Sequence, residues 1–297
     1  MVADGAGERP AILGRDERPT PSSGADDVVS ALNASARAAL AAAEVSTHDI
    51  VAAGCAAPGP LDHLSGVIHE APNIAGFVDF PLADRLRDAL ELTVFVDRDT
   101  SMAAIAESLT GAARGVPDFV YVTVSTGLGG AIVSGGRMIR GATNTAGEIG
   151  HLPVGLPDEG APRCGCGSVG CAEAYVAGRH LAERFGASGA DDVYAAARRG
   201  DARAVALVER SELALGNLAV GLVNVLNPSL IVVGGSIAEH EPDHVLAPMR
   251  RHIAERAFRV PAAAVRVVPA ALAADVGTIG AALCARERAA GRGQWFL

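Results

Sequence analysis

Apolar, β-rich runs that stop at a glycine or acidic turn and give way to helical stretches recur along this chain. That alternation is the strongest limit on its fold. "DIVAAGCAAPGP" (49–60) reads as a buried strand closed by a Pro/Gly turn, "PLADRLRDAL" (81–90) as a helix, and "LTVFVDRD" (92–99) as a second strand. "TSMAAIAESLTGAARG" (100–115) has a Thr/Ser pair suited to cap a helix. Further on, "SLIVVGGSI" (229–237) and "AAVRVVPA" (263–270) are strands, with helices at "VLAPMRRHIAERAF" (245–258) and "DVGTIGAALCARERAAG" (275–291). Strands that alternate with helices in this way build a parallel α/β sheet. Two further stretches are helical: alanine-rich 25–45, with an acidic start, and 201–228, which breaks at Pro228. "FVYVTVSTGLGGAIVSGGRMIRG" (119–141) holds two β runs around one glycine turn, then a second turn at "SGG".

At 297 residues the chain can form one large domain or two ordinary ones. With 49% apolar but only 4% aromatic residues, the core must be Ala/Val/Leu packing. No apolar stretch reaches the roughly 18 residues of a membrane span, and no secretory leader is evident, so a soluble cytoplasmic protein is expected. All 25 basic residues are arginine. Without lysine a Walker-type phosphate loop and Schiff-base chemistry are both excluded. A net charge of −9 with no basic cluster argues against a nucleic-acid surface.

Three of the five cysteines fall in "CGCGSVGCAE" (164–173). In a cytosolic chain a structural disulfide is not expected, and the C-x-x-C redox spacing is absent. Cys164, Cys166 and Cys171, with glycines between them, leave a tetrahedral zinc site one ligand short. The nearest upstream candidate is His151 in "AGEIGHLPV", which completes a Cys3His set; free buried thiols are the plainer alternative. Such a closed site is structural. It would order a loop that carries Glu148 on one side and Glu173 on the other. Cys55 and Cys284 sit in apolar contexts and read as core residues.

Other signals are weaker. "STGLGG" (125–130) can cradle phosphate on backbone N–H groups or be a plain hairpin turn. "VVGGS" (232–236) has the same ambiguity, though strand–Gly-Gly–helix suits a closely approached adenosine. Asp97 and Asp99 end a strand and open a helix, where N-capping is the bland role.

The order of these pieces resembles the ROK family of sugar kinases and sugar-responsive regulators, from about residue 18 to 290. The stretches that carry the resemblance are "GCAAPGPLD", "APNIAGF", "FVDRDTSMAAIAE", "VSTGLGGAIVSGGRMIRG", "AGEIGHLPV", "CGCGSVGCAEAY" and "NPSLIVVGGSI". The resemblance implies an α/β, actin-like ATPase (ribonuclease H-like) two-domain fold that closes over a sugar and a nucleotide. We expect a small domain at 1–105, with helix 276–290 packing back on it, and a large domain at 106–275 bearing the zinc loop; the linker falls near 105–117. Zinc on His151, Cys164, Cys166 and Cys171 is implied, as are ATP and Mg2+. By the same resemblance Asp99 would be the general base acting on the 6-hydroxyl of a hexose. Glu148, His151 and Glu173 would hydrogen-bond the ring hydroxyls, and Gly59 and Asn73 would line the same cleft. Thr126 and Gly127 would lie along the phosphates, and Gly234 and Gly235 near the adenosine. The expected partners are a hexose and ATP, with neither nucleic acid nor membrane, in a homodimer.

Two departures from the family pattern stand out. Arg98 replaces the asparagine that usually precedes the base and touches the sugar, so either sugar preference changes or Arg98 points elsewhere. The opening Asp-x-Gly-Gly-Thr strand is also absent. "MVADGAGERPAILGRDERPTP" looks like the strands that follow it, so we expect the true start to lie upstream and this chain to bind sugar better than it phosphorylates. The readings carried forward are an ATP-dependent hexose kinase of glucokinase or N-acetylhexosamine-kinase type, a sugar-sensing transcriptional regulator, and a non-catalytic sugar binder.

Overall fold

The computed structural model describes residues 1–3, 10–71, 74–155 and 160–296. They divide into two compact units, one made of Met1–Gly115, Arg137–Ala146 and Asp275–Leu297, the other of Val116–Gly136 and Gly147–Ala274. No helix among the described residues is long and apolar enough to cross a membrane.

In the first unit β1 (Val2–Ala3) pairs antiparallel with β2 (Ile12–Gly14). Helix α1 (Ala25–Ala42) opens with Asp26 and Asp27, which favour a helix N-terminus, and buries Val28, Val29, Ala39 and Leu40. β3 (Ala53–Ala57) runs parallel to β7 (Val94–Arg98), with Ala57 opposite Arg98. Between them lies an antiparallel meander, β4 (Leu61–Asp62), β5 (Val67–Glu70) and β6 (Val78–Phe80), followed by α2 (Leu82–Leu90). Sequence patterning did not announce this meander, because each strand is only two to four residues long. Its first turn is set locally: the Asp62 carboxylate accepts the backbone N–H of Leu64 and the hydroxyl of Ser65.

β7 passes straight into α3 (Asp99–Thr110). The helix therefore starts one residue before the expected Thr100/Ser101 cap. Arg98 holds the N-cap position with no side-chain cap, and Thr100 and Ser101 are buried inside the helix. Asp97 and Asp99 each accept the N–H of the next residue, both at 2.7 Å, and the Thr100 N–H taken by Asp99 belongs to the first turn of the helix. The chain returns to this unit with β10 (Arg137–Met138) and with α11 (Val276–Ala289). α11 approaches β3 and α3 at glycines. A Cβ on Gly54 would lie 1.9 Å from the Ala281 carbonyl oxygen, and one on Gly280 would lie 1.8 Å from that of Met102. Any side chain there would force the elements apart.

In the second unit β9 (Leu128–Ser134), β8 (Phe119–Val124), β11 (Leu230–Gly234) and β12 (Arg266–Pro269) lie side by side in that order. β8, β11 and β12 are parallel, and β9 turns back antiparallel on β8. The helices are α4 (Ala172–Val176), α5 (Gly178–Phe185), α6 (Ala190–Arg198), α7 (Ala202–Leu226), α8 (Ser236–His240), α9 (Pro242–Arg256) and α10 (Arg259–Ala264). α7 is bounded as its sequence suggests. The Asp201 carboxylate accepts the N–H of Arg203 and Ala204, and Asn227 takes a left-handed φ of 49° just before Pro228. Val120, Val122, Ile231 and Val233 of the sheet belong to one buried cluster with Leu215, Leu218 and Leu222 of α7, in a core where aliphatic side chains predominate.

Candidate active site

In the second unit the cysteine segment is folded by its own backbone. The Cys164 N–H donates to the Ser168 carbonyl and the Gly167 N–H to the Cys164 carbonyl, while Gly167 and Gly170 take φ of 90° and 80°. The short helical turn Ile149–His151 brings His151 to the same place. The donor atoms of His151, Cys164, Cys166 and Cys171 all lie within 4.8 Å of one another. Cys166 Sγ is 3.7 Å from Cys171 Sγ, and Cys164 Sγ is 3.6 Å from His151 Nδ1. Zinc bonds of about 2.3 Å to sulfur and about 2.0 Å to nitrogen make tetrahedral edges of about 3.8 Å and about 3.6 Å. The two measured edges fit.

The thiols differ in acidity. The Ser168 N–H holds Cys166 down at about 7, whereas burial pushes Cys171 up to about 12 and raises Cys164 as well. His151 offers Nδ1 to the cluster. Its Nε2 faces Glu148 Oε2 at 3.9 Å.

Glu173 follows Cys171 on α4 and is 8% exposed. Its carboxylate touches three parts of the unit at once. Oε1 accepts from Arg179 at 2.6 Å and lies 3.8 Å from Cys164 Sγ; Oε2 accepts the Leu128 N–H at 3.3 Å. A Cβ on Gly127 would stand 3.3 Å from Oε2, so the turn after Thr126 lies directly against the Glu173 carboxylate. The Ser125–Gly127 turn is tied to α5 by Gly178 N–H to Ser125 O at 2.8 Å. β8 and β11 are neighbours with Thr123 opposite Gly234, so the 125–127 turn and the Gly234–Gly235 turn leave the sheet at the carboxyl ends of adjacent strands. That edge is where open α/β sheets bind ligands. Gly235 takes φ 96°, and a Cβ there would meet the Val124 carbonyl oxygen at 2.5 Å.

The first unit holds Asp99, Arg98 and Gly59. Asp99 is the first residue of α3. Arg98 is 3% exposed; its stem lies against Gly59 and its guanidinium donates to the Ala146 carbonyl at 2.5 Å. Gly59 precedes a cis proline, Pro60. Asn73 lies outside the described residues. Behind Arg98, Asp97 and Arg140 form a bidentate pair at 2.9 and 2.6 Å, with side chains only 2% and 9% exposed.

The sequence profile described as ROK family matches residues 6–288. The chain belongs to the ROK family. It is 35% identical over 254 residues to a glucokinase from Halalkalibacterium halodurans, covering 79% of this chain and 76% of that protein. It is 36% identical over 221 residues to an N-acetylmannosamine kinase from Escherichia coli, covering 72% of each. Among solved structures, a ROK hexokinase from Thermus thermophilus superposes with a TM-score of 0.78 at 36% identity, covering 97% of this chain and 94% of that one. A ROK glucokinase from Streptomyces griseus in complex with glucose and AMPPNP gives 0.77 at 29% identity, covering 94% and 93%. The fold of this ROK protein is accordingly α/β and actin-like (ribonuclease H-like), as the motif order implied.

Two site neighbours had no signal in the ROK sequence. Arg140 and Arg179 are two among 25 arginines; Arg140 lies within "VSTGLGGAIVSGGRMIRG", but nothing in that stretch marks Asp97 as its partner. Arg179 follows Glu173 by six residues, and Arg140 lies 43 residues from Asp97. Only folding pairs them with their carboxylates.

Proposed function

We propose that this chain transfers the γ-phosphate of ATP, supplied with Mg2+, to the 6-hydroxyl of a hexose or N-acetylhexosamine. One observation carries the reading: the Glu173 carboxylate sits at once beside the cysteine cluster and against the glycine turn after Thr126. A group that orders sugar hydroxyls and a turn that can cradle phosphate are thereby built on one support. Glu148, His151 through Nε2, and Glu173 accept or donate hydrogen bonds to ring hydroxyls, and ionised acceptors make the stronger bonds. Gly59 and Asn73 complete the sugar contacts, with the Arg98 stem set against Gly59 to shape that wall, Thr126 and Gly127 follow the phosphates, and Gly234 and Gly235 meet the adenosine. Asp99 takes the proton of the attacking hydroxyl as its oxygen bonds to the γ-phosphorus. The bond to the bridging oxygen breaks, and ADP leaves with that oxygen. Phosphoryl transfer is mostly positioning and charge stabilisation, so one carboxylate base suffices on the acceptor side. His151, Cys164, Cys166 and Cys171 would hold zinc as a fully ligated structural ion that orders the loop.

The test is turnover of the 297-residue chain with glucose, mannose, N-acetylmannosamine and N-acetylglucosamine in an ADP-coupled assay. Asp99→Asn should lose about 10²–10⁴ in kcat while sugar affinity by calorimetry stays within about threefold. Full activity in Asp99→Asn would remove the base. Sugar binding with no turnover of any hexose would leave a sensor or binder.

A further inference from the structure

Asp97 is the penultimate residue of β7, two before the proposed base. Its carboxylate is almost fully buried, and a buried charge of this kind is tolerated only when paired and hydrogen-bonded. Arg140 supplies the pairing from the segment Arg137–Ala146, with one N–H on each carboxylate oxygen. The same Asp97 Oδ1 also accepts the backbone N–H of Arg98 at 2.7 Å, so the ion pair is bonded to the peptide unit immediately ahead of Asp99. Arg140 reaches one turn into α3 as well, donating to Ser101 Oγ at 3.2 Å. Its remaining contact is with the end of the chain. Nε donates to the Phe296 carbonyl at 3.1 Å, and Nη2 donates to the same oxygen.

The tail is seated firmly enough to matter. Phe296 is fully buried in the short helical turn Gly293–Phe296, Trp295 packs edge-on against it at 4.8 Å, and Gly293 leaves no room for a Cβ beside the Phe296 ring. Nearby in the same unit, Arg288 stacks over Phe95 and donates to the His63 carbonyl, and Cys284 is buried. One guanidinium thus joins strand β7, helix α3 and the C-terminal turn at the corner that presents Asp99.

We propose that Arg140 is a positioning residue for Asp99, and that the C-terminal turn acts through it as part of the site's support. The inference rests on Asp99 being the base. Arg140 itself touches no reacting atom. It fixes the strand-to-helix corner, and the Phe296 carbonyl fixes Arg140. Lysine cannot replace it, because a single ammonium cannot bridge both carboxylate oxygens and a carbonyl in one plane.

The experiment compares the full chain with Arg140→Lys, with a chain lacking residues 295–297, and with the two combined. Arg140→Lys should lower kcat about 10–100-fold with the KM for sugar within about threefold, because small misplacements of a reacting group cost rates of this order. Loss of the tail should lower kcat in the same sense. The combination should be no slower than Arg140→Lys alone, since both act on one clamp. Unchanged kcat in either single variant, or effects that multiply in the combination, would overturn the proposal. If Arg140→Lys does not fold, the tail deletion, which leaves the Asp97 pair intact, is read by itself for the kcat-against-KM split. If the unaltered chain shows no turnover, the proposed function fails first. The clamp is then judged on urea midpoints, where non-additive shifts for the two changes support it and additive ones overturn it.

Discussion

One equivalent of Zn2+ added to the metal-free chain at pH 7 should release about 2.5 protons from the three thiols. The figure follows from their separate environments. Cys171, pushed up to about 12 by burial, and Cys164, raised for the same reason, are both thiols at neutral pH. Each must lose a whole proton to bind as thiolate. Cys166, held at about 7, is already half ionised and gives about half a proton. At pH 8 its share falls to about a tenth, so the total drops toward about 2.1. Calorimetric titration in two buffers of different ionisation enthalpy reads the proton count directly. Cys171→Ser should lower the release by about one proton and Cys166→Ser by about a half at pH 7. A release of one proton or fewer, with metal bound at one per chain, would refute the three-thiolate set. So would an undiminished release in Cys171→Ser.

Arg98→Asn removes the bond to the Ala146 carbonyl and opens the space over Gly59. Relative kcat/KM among glucose, mannose and N-acetylglucosamine should shift by up to about tenfold, the worth of one hydrogen bond, and identical ratios would show that Arg98 is a strut alone. Stability should fall as pH drops below about 6.5. His63, His180 and His252 are all held below the ordinary histidine value, first by burial and then by a nearby arginine (Arg140, Arg179 and Arg256 respectively). The unfolded chain therefore binds more protons than the folded one on the acid side, and each group steepens the loss by up to about 1.4 kcal/mol per pH unit. Urea unfolding at pH 7, 6 and 5 measures the slope. His63→Gln should flatten it, and a slope unchanged by that substitution would exclude His63 as a source.

Much of this protein was legible along the chain because the signals were local. The strand and helix runs of α1, β3, α2, β7, α7, β11 and α11 follow from periodicity and turn residues within each segment. The convergence of His151 with the cysteines, a group that could hold a metal ion, had a local signal too: the three cysteines sit within eight residues, and glycines between them allow the backbone to close. What the sequence left open was decided by packing across long separations. The strands of the 61–80 meander are too short to carry a pattern. Helix α3 begins at Asp99 and not at the Thr/Ser pair because β7 runs into it without a break. Residues 137–146 join the first unit although both of their chain neighbours belong to the second. Asp97 reads as a cap until Arg140 is brought to it across 43 residues, and Glu173 reads as a lone carboxylate until Arg179 and the Leu128 N–H close on it. A turn or a helix end is fixed by the residues that make it. The partner of a buried charge is fixed only when the rest of the chain has excluded water around it.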